Sequence, residues 1–352
     1  MSIKNPLRIT AGVSLALLAS VFSAPAEAGQ SNKSASVSVA EWEVVEVGPE
    51  GSGEGYDASV ATISGDVIAQ TRTQELTHDF RCWNGSDWEE IEGVTASDGT
   101  EVDATGLGGV SCSDFYMFGD DGKRWHWKDN SWDQGAATGH RFPVRMVNAF
   151  APDDIWATSP VGEEVSHFDG DTWTKVSIPA MDNLDAVVGT SKSDLWILGE
   201  IYSTDELVAY HWNGVSWNKA PMPVSSDEFS APEHATATAD GVYVFGTRAD
   251  DGYLHWDGES WQHAFLPEAW DDEYVHGATH ANGTLWLNLY TTALRLDDGA
   301  WTEAAYPQIG NPCGSLTITG IATDRRSATV FGFGSIGGEC NPQSALIRTP
   351  TA

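Results

Sequence analysis

The chain has 352 residues, with 51 Asp and Glu against 18 Lys and Arg, and its formal net charge is −33 at pH 7. A field of this sign repels nucleic acid and anionic membrane surfaces, so the composition excludes binding to either through a basic patch. We interpret the excess of acidic residues first as an adaptation for solubility in a salty medium. The second interpretation is a cationic partner or bound calcium.

The N-terminal segment predicts export. Lys4 and Arg8 precede an apolar run at 11–22, and Ala26-Glu27-Ala28 places small residues at the cleavage positions of a signal peptide. The run is too short for a membrane anchor, and no later segment is apolar enough to span a bilayer. We therefore expect a protein exported to the periplasm or beyond the cell, with three parts: a signal peptide at 1–28, a short polar leader at 29–40 and one folded domain at 41–352.

The first predicted element of the domain is a single strand at 41–45, E-W-E-V-V, which has no hairpin partner beside it. After it, one apolar strand pattern recurs along the chain. Its β-branched and aromatic residues are apolar on both faces, which is typical of a buried strand. The seven copies lie at 66–70, 114–119, 154–158, 194–199, 241–246, 284–289 and 329–334.

Each of the first six buried strands is followed by a hairpin in which two bulky apolar residues stand five apart. The pairs are Trp83/Trp88, Trp127/Trp132, Phe168/Trp173, Trp212/Trp217, Trp256/Trp261 and Leu296/Trp301. Asn-Gly or Asp-Gly often separates them, a hairpin signal in which both turn residues favour positive φ. The closing Trp residues recur every 40 to 44 residues, the length of one propeller blade. We expect these rings to pack in the core and between blades rather than to stack on sugars.

The seventh unit has a third strand at 345–348 but no fourth strand after it. The isolated strand at 41–45 can supply the missing one, and pairing the two removes the free sheet edges. The sequence therefore predicts an all-β fold, a seven-bladed β-propeller of four-stranded antiparallel blades whose ring is closed by the N-terminal strand completing the last blade.

The units resemble bacterial kelch-type and Asp-box propeller repeats. Gly119, Gly199 and Gly246 end buried strands singly, where kelch repeats have a glycine pair. The segment 169–173, D-G-D-T-W, is similar to the Asp-box of sialidases but one residue shorter. The resemblance covers 41–352 and implies the propeller architecture, and it carries over no catalytic residue.

Four cysteines in an exported chain predict two disulfides, for which three connectivities exist. Cys313 precedes the last blade and Cys340 lies in the second-to-third loop of that blade, so both fall on one face and we expect them to pair. Cys82 and Cys112 would then pair with each other.

A propeller has two unlike faces. We call the face with the first-to-second and third-to-fourth turns the lower face, and the face with the second-to-third turns and the inter-blade connections the upper face. The aromatic hairpins make the lower face uniform, whereas the upper-face loops vary in length and charge, which is typical of a binding surface. Candidate ligand-binding residues are Asn148, Asp185, His234 and His276 near the channel mouth, and Asp250, Asp251, Trp270, Asp271, Asp272 and Glu273 in upper-face loops.

Clustered carboxylates suit a cationic ligand or calcium, although no EF-hand-like or zinc-site spacing is present. A solvated acidic face and a channel that holds only water are the alternatives. No nucleophile elbow, metalloprotease helix or phosphate-binding loop occurs, and the arginines form no sialidase-like triad.

The sequence thus favours a monomeric, non-catalytic binding propeller without a cofactor, whose partner is a protein or a glycan; bound calcium is the less favoured alternative. Two other functions stay open. One is a lectin that stacks sugars on Trp125 or Trp270, and the other is a hydrolase or lyase that acts on glycans.

Overall fold

The computed structural model describes residues 42–48, 55–72, 78–135, 140, 142–159, 164–309, 315–337 and 343–350. These residues form 28 strands in seven four-stranded antiparallel sheets. The first strand of each sheet contacts the first strands of the two neighbouring sheets, and the contacts run once around a closed ring. The predicted seven-bladed propeller is therefore confirmed.

The strands of the first four blades follow one another along the chain. Blade 1 contains β2 (Gly55–Ala61), β3 (Val67–Arg72), β4 (Phe80–Trp83) and β5 (Trp88–Ile91), and blade 2 contains β6 (Ala104–Ser111), β7 (Asp114–Gly119), β8 (Arg124–Lys128) and β9 (Ser131–Gln134). Blade 3 contains β10 (Met146–Ala151), β11 (Asp154–Ser159), β12 (Glu164–Phe168) and β13 (Trp173–Val176), and blade 4 contains β14 (Asn183–Ser191), β15 (Asp194–Ile201), β16 (Glu206–Trp212) and β17 (Trp217–Ala220).

The remaining blades complete the ring. Blade 5 contains β18 (His234–Thr238), β19 (Gly241–Phe245), β20 (Tyr253–Trp256) and β21 (Trp261–Ala264), and blade 6 contains β22 (Gly277–Ala281), β23 (Thr284–Asn288), β24 (Ala293–Asp297) and β25 (Ala300–Ala304). Blade 7 contains β26 (Leu316–Asp324), β27 (Thr329–Ile336), β28 (Gln343–Arg348) and β1 (Glu43–Val47). Short 3-10 helices lie at Ala249–Asp251 and Glu268–Trp270 on the upper face.

The N-terminal strand closes the ring, as the sequence predicts. Glu43 of β1 lies opposite Arg348 of β28, and Val47 lies opposite Ala345, in an antiparallel pairing. Trp42, just before β1, is only 2% exposed, and its indole Nε1 donates to the carbonyl oxygen of Ala304 in blade 6 at 3.0 Å. The closing strand is thus fixed both to its own blade and to the preceding one.

The aromatic hairpins join neighbouring blades, which confirms the packing role expected for their rings. Trp212 and Trp217 are directly opposed across β16 and β17, and the other pairs share this register. In blades 1 to 6 one Trp of the hairpin packs on an aromatic residue of the preceding blade, and in blade 7 Trp42 does so. The ring centroids of these pairs are 5.1 to 6.4 Å apart. The contacts are Trp42 on Trp286, Trp88 on Phe331, Trp132 on Phe80, Trp173 on Phe118, Trp212 on Trp156, Trp261 on Trp196 and Trp301 on Phe245.

The turns of these hairpins follow the expected pattern only in part. In the Asp-Gly turn of blade 6 both Asp298 and Gly299 have positive φ, as predicted. In the Asn-Gly turn of blade 4 only Gly214 does, at 89°, while Asn213 precedes the turn and its Oδ1 accepts from the next backbone N–H groups, those of residues 215 and 216. The Asn-Gly and Asp-Gly turns of blades 1, 3 and 5 are built in the same way. In these four blades the prediction was therefore wrong, since the Asn or Asp serves as a side-chain acceptor.

One of the two expected disulfides lies within the described residues and is confirmed. Cys82 of β4 is bonded to Cys112, in the turn after β6, with the Cα atoms 5.6 Å apart. The bond connects blade 1 to blade 2, and Asp66 Oδ2 accepts the Cys112 N–H at 2.8 Å beside it. Cys313 and Cys340 lie outside the described residues, as do the expected signal peptide at 1–28 and leader at 29–40.

Candidate functional site

The first strands of the seven blades line a central channel. Hydrogen bonds hold these inner strands together from blade to blade, for example the bond from Asn148 Nδ2 to the Val187 carbonyl oxygen at 3.0 Å. The upper part of the channel is a cavity of about 290 Å³ between blades 5, 6, 7 and 1, a volume at the lower limit for a small-ligand site.

The four residues expected at the channel mouth do not form one ring. His234 and His276 line the same upper cavity. Asn148 lines a neighbouring cavity of about 200 Å³, which it shares with Glu233. Asp185 is only 8% exposed and is not among the residues that line either cavity. The structure therefore groups the two histidines and separates the other two residues from them.

Asp185 is a buried acid among other acids. The Asn183 amide donates to its Oδ1, while its Oδ2 has no hydrogen-bond partner among the described residues. Burial, reinforced by the nearby carboxylates of Glu200 and Glu233, raises the pKa of Asp185 to about 7. Near neutral pH this carboxyl group is therefore poised between its two protonation states, and an approaching cation would favour the ionised one.

His234 and His276, the two histidines at the channel mouth, have lowered pKa values. Burial lowers the pKa of His234 to about 4, and the adjacent His276 adds to this effect. Burial also lowers the pKa of His276, whose ring lies 4.8 Å from that of Tyr290. Both imidazoles are therefore neutral at pH 7, able to accept or donate a hydrogen bond without carrying charge.

These two shifts predict opposing pH dependences of stability. The pKa of Asp185 is higher in the folded protein than the ordinary 3.8. Its contribution to the free energy of unfolding is therefore fully present below pH 3.8 and is lost as the pH rises through 7. The pKa of His234 is lower in the folded protein than the ordinary 6.5. Its contribution to the free energy of unfolding is therefore present above pH 6.5 and is lost as the pH falls through 4.

The free energy of unfolding of the wild type should therefore fall by roughly 4 kcal/mol between pH 4 and pH 8 because of Asp185, and Asp185→Asn should remove this fall. The wild type should also lose roughly 3 kcal/mol of unfolding free energy between pH 8 and pH 4 because of His234, and His234→Gln should remove this loss. Urea unfolding of both variants and the wild type across pH 4–8 measures this. Parallel curves for the three proteins would contradict the assigned burial.

Two upper-face loops of blade 5 and blade 6 form a single unit. Ala249 donates its backbone N–H to the carbonyl oxygen of Glu273 at 2.9 Å, and Val275 donates to that of Thr247 at 3.0 Å. Arg248 also lies over the ring of Tyr274, 5.7 Å from its centroid. The structure thus brings together the second group of predicted residues, which come from 250–251 and 270–273.

The carboxylates of this unit are not equally available. Asp250 is paired with Arg248 at 2.8 Å, a contact that lowers the pKa of Asp250, and Asp251 accepts from the Ser230 hydroxyl. No ion pair involves Asp271, Asp272 or Glu273 among the described residues. The free negative charge of the unit is therefore concentrated at 271–273.

The aromatic residues that the sequence suggested as sugar platforms are not exposed. Trp125 is only 8% exposed and packs in the core of blades 1 and 2, so its proposed role in stacking sugars was wrong. Trp270 is half-buried and packs against the core of blades 5 and 6. Neither residue is among the strongly exposed aromatic residues of the described part of the chain.

The exposed aromatic residues, which the sequence reasoning missed, all lie on the upper face. Tyr202 and Tyr290 occupy second-to-third turns and are 60% and 38% exposed. The others lie in inter-blade connections, with Phe142 at 38%, Phe265 at 67% and Tyr274 at 55% exposed. Within the described residues, no aromatic side chain is comparably exposed on the lower face. Loop position alone could have placed these rings, but their exposure required the structure.

A repeated histidine was also missed. His126, His167 and His211 each hydrogen-bond an Asp at the start of the neighbouring strand at 2.7 Å. Each ring also lies against a buried Tyr or Trp, as His211 does on Trp196 with centroids 4.5 Å apart. The signal was present in the sequence, since a His directly precedes the first aromatic residue of four hairpins. The uniform repeat indicates a structural role.

The described residues contain no group of three His, Cys, Asp or Glu side chains arranged to hold a metal ion. They also contain no helix that is long and apolar enough to cross a membrane.

No protein-family profile matches this chain, and no curated protein is similar to it in sequence. Similar solved structures include YCF48 bound to D1 peptide, with a TM-score of 0.62, 12% identity and coverage of 90% of this chain and 97% of that one. A catalytically inactive virginiamycin B lyase from Staphylococcus aureus with quinupristin has a TM-score of 0.63 and 15% identity over 87% of this chain and 99% of that one. The extracellular domain of BT4673 from B. thetaiotaomicron has a TM-score of 0.56 and 11% identity, over 87% of this chain but only 39% of that one. At these identities the likeness shows a shared propeller fold.

Proposed function

We propose that this protein is an exported, non-catalytic recognition propeller that binds a positively charged segment of another protein on its upper face. The observation that carries the proposal is the location of the exposed aromatic residues. All of them within the described part of the chain lie on the upper face, beside acidic loops. Tyr residues in particular supply large, rigid contact area with a polar end, and they are enriched in protein interfaces.

The charge of the same face supports a cationic partner. The carboxylates at 271–273 are adjacent to exposed Tyr274, and Tyr202 lies in the turn that follows Glu200. Aromatic faces and carboxylates together favour Lys and Arg side chains, through cation–π contacts and ion pairs. Glu233 lines the upper cavity and adds negative charge at the channel mouth, where a long basic side chain could reach.

The structural neighbours agree with this proposal without identifying a ligand. YCF48 is named as bound to a peptide, and another neighbour is an extracellular domain. We extend to this chain only the general idea of an exported propeller that binds protein, with repeats of the kelch or Asp-box type. Its signal peptide at 1–28 and its domain at 41–352 stay part of the proposal.

A second candidate function is a lyase or hydrolase acting at the upper cavity. It is favoured by the neutral His234 and His276, which line one cavity together with the acid Glu233. Such groups can transfer protons, and one structural neighbour is a lyase. We rank it second because the exposed aromatic residues extend far beyond the cavity, from Phe142 before blade 3 to Tyr290 in blade 6.

An array that carries peptides of graded Lys and Arg content beside a panel of glycans separates these functions. We expect the purified mature protein to bind cationic peptides, more weakly as salt rises, because exposed charges are screened beyond about 8–10 Å at physiological ionic strength. Glycan binding would indicate a lectin, and product formation would indicate an enzyme.

Charge neutralisation then locates the site. We expect Asp271→Asn, Asp272→Asn and Glu273→Gln together to weaken peptide binding by about tenfold or more, since each lost charged contact costs roughly 0.5–1 kcal/mol. The matched control neutralises three lower-face hairpin acids, Asp87, Asp171 and Asp257, and should leave binding within a factor of two or so. Equal losses in both triple variants would contradict an upper-face site.

A further inference from the structure

The lower part of the central channel is chemically unlike the rest of this acidic protein. It forms a cavity of about 520 Å³, within the range of small-ligand sites. Apart from two basic residues, its described lining consists of backbone, apolar side chains, Ser and Thr hydroxyls and one Asn, and it includes no carboxylate. The ionisable side chains in this lining are those of Arg325 and His280. The one permanent charge of this described lining is therefore the positive charge of Arg325, although the chain carries a net charge of −33.

Arg325 projects into this lumen from the first-to-second turn of blade 7. Its neighbour Arg326 forms two ion pairs, with Asp66 at 2.7 Å and with Asp324 at 3.2 Å. Arg325 makes no ion pair or side-chain hydrogen bond with any described residue. The surrounding protein lowers the pKa of Arg325, since it removes water without supplying a negative charge. The guanidinium group of Arg325, which carries five N–H donors, thus lines the channel without a protein acceptor among the described residues.

His280 is the second basic group of this cavity. Its Nδ1 is hydrogen-bonded to the hydroxyl of Thr236 at 3.1 Å, which leaves Nε2 available on the other side of the ring. Burial lowers the pKa of His280, and the positive charge of Arg325 lowers it further. Both side chains line the same cavity, so like charges on them repel each other. An anion between them would remove that repulsion and favour the protonated imidazole.

We propose that the lower channel binds a small oxyanion, held by Arg325 and by protonated His280. Carboxylate, phosphate and sulfate share this chemistry, since each presents several oxygens that accept charge-assisted hydrogen bonds from a guanidinium. The site is independent of the peptide surface proposed above, because it lies at the opposite end of the channel.

The experiment uses the mature protein and three probes, inorganic phosphate, sulfate and acetate, each compared with sodium chloride at equal ionic strength. The imidazole signals are followed by nitrogen–proton NMR, with His280→Gln to assign the His280 signal. We expect phosphate or sulfate to raise the pKa of His280 and to raise Tm, whereas sodium chloride should do neither. A response to acetate alone would identify a carboxylate site rather than a site for tetrahedral anions.

The variant Arg325→Gln should weaken binding of the active probe by about tenfold or more, because it removes the charge-assisted hydrogen bonds. Arg295→Gln makes the same change at a surface residue of blade 6 that pairs with Asp297, and it should bind the probe as the wild type does. The proposal is overturned if no probe moves the His280 signal beyond the sodium chloride control. It is equally overturned if Arg325→Gln responds like the wild type.

Discussion

Replacing Trp42 with Ala should destabilise the protein by about 3–5 kcal/mol, the usual cost of truncating a fully buried large aromatic residue. Trp42 packs edge-on against Trp286 and Tyr306, with ring centroids 5.4 and 5.3 Å away, and it donates a buried hydrogen bond to Ala304. All three contacts belong to blade 6 or to the segment directly after it, so the substitution loosens the junction that closes the ring. Urea unfolding at neutral pH measures the loss.

A matched control separates ring closure from the general cost of removing a Trp. Trp217→Ala makes the same change in blade 4, where the indole is half-buried and its Nε1 has no partner among the described residues. We expect a smaller loss there. Deleting 41–46 should be more damaging than either substitution, because it also leaves the edge of β28 unpaired. A deletion variant that unfolds at the wild-type urea concentration would contradict closure by this strand.

Removing the disulfide between Cys82 and Cys112 should cost roughly 3–4 kcal/mol in the chain-entropy account of cross-links. The two residues are 30 apart in sequence and join blade 1 to blade 2, so the bond restricts a long segment of the unfolded chain. The variant with both residues changed to Ala avoids a leftover free thiol. Its unfolding in urea, compared with that of the wild type, gives the difference.

The reduced wild-type protein is the matching control for that variant. Reductant should shift the unfolding midpoint of the wild type toward that of the double variant and should leave the double variant itself unchanged. Peptide mapping of unreduced protein that connects Cys82 to Cys313 or Cys340 would refute the pairing. The expected bond between Cys313 and Cys340 stays a prediction, and the same mapping tests it.

The architecture was readable from the sequence because each blade repeats the same demands on its residues. A buried strand such as 194–199 must be apolar on both faces, and a hairpin such as 212–217 must place two large rings opposite each other. Those demands leave a periodic trace that a single sequence displays. Even the unmatched strand beside Trp42 was informative, since a propeller ring is stable only when its last blade is complete.

The site was less readable because its properties arise between segments that are distant in sequence. Asp185 is unusual only because Glu200 and Glu233 fold beside it and water is excluded. Nothing in the sequence distinguishes Arg325, which faces the channel without a counter-ion among the described residues, from Arg326, which is paired twice. The error over Trp125 has the same origin, because the sequence does not show which aromatic residues the blades bury.

Hydrogen exchange of the complex with the tightest-binding cationic array peptide tests the central claim most directly. We predict that peptide binding slows amide exchange in the upper-face segments 200–206 and 266–275. The lower-face hairpins at 84–87 and 213–216 should exchange at the rate of the free protein. Protection of the lower hairpins with unchanged exchange in the upper segments would contradict the account.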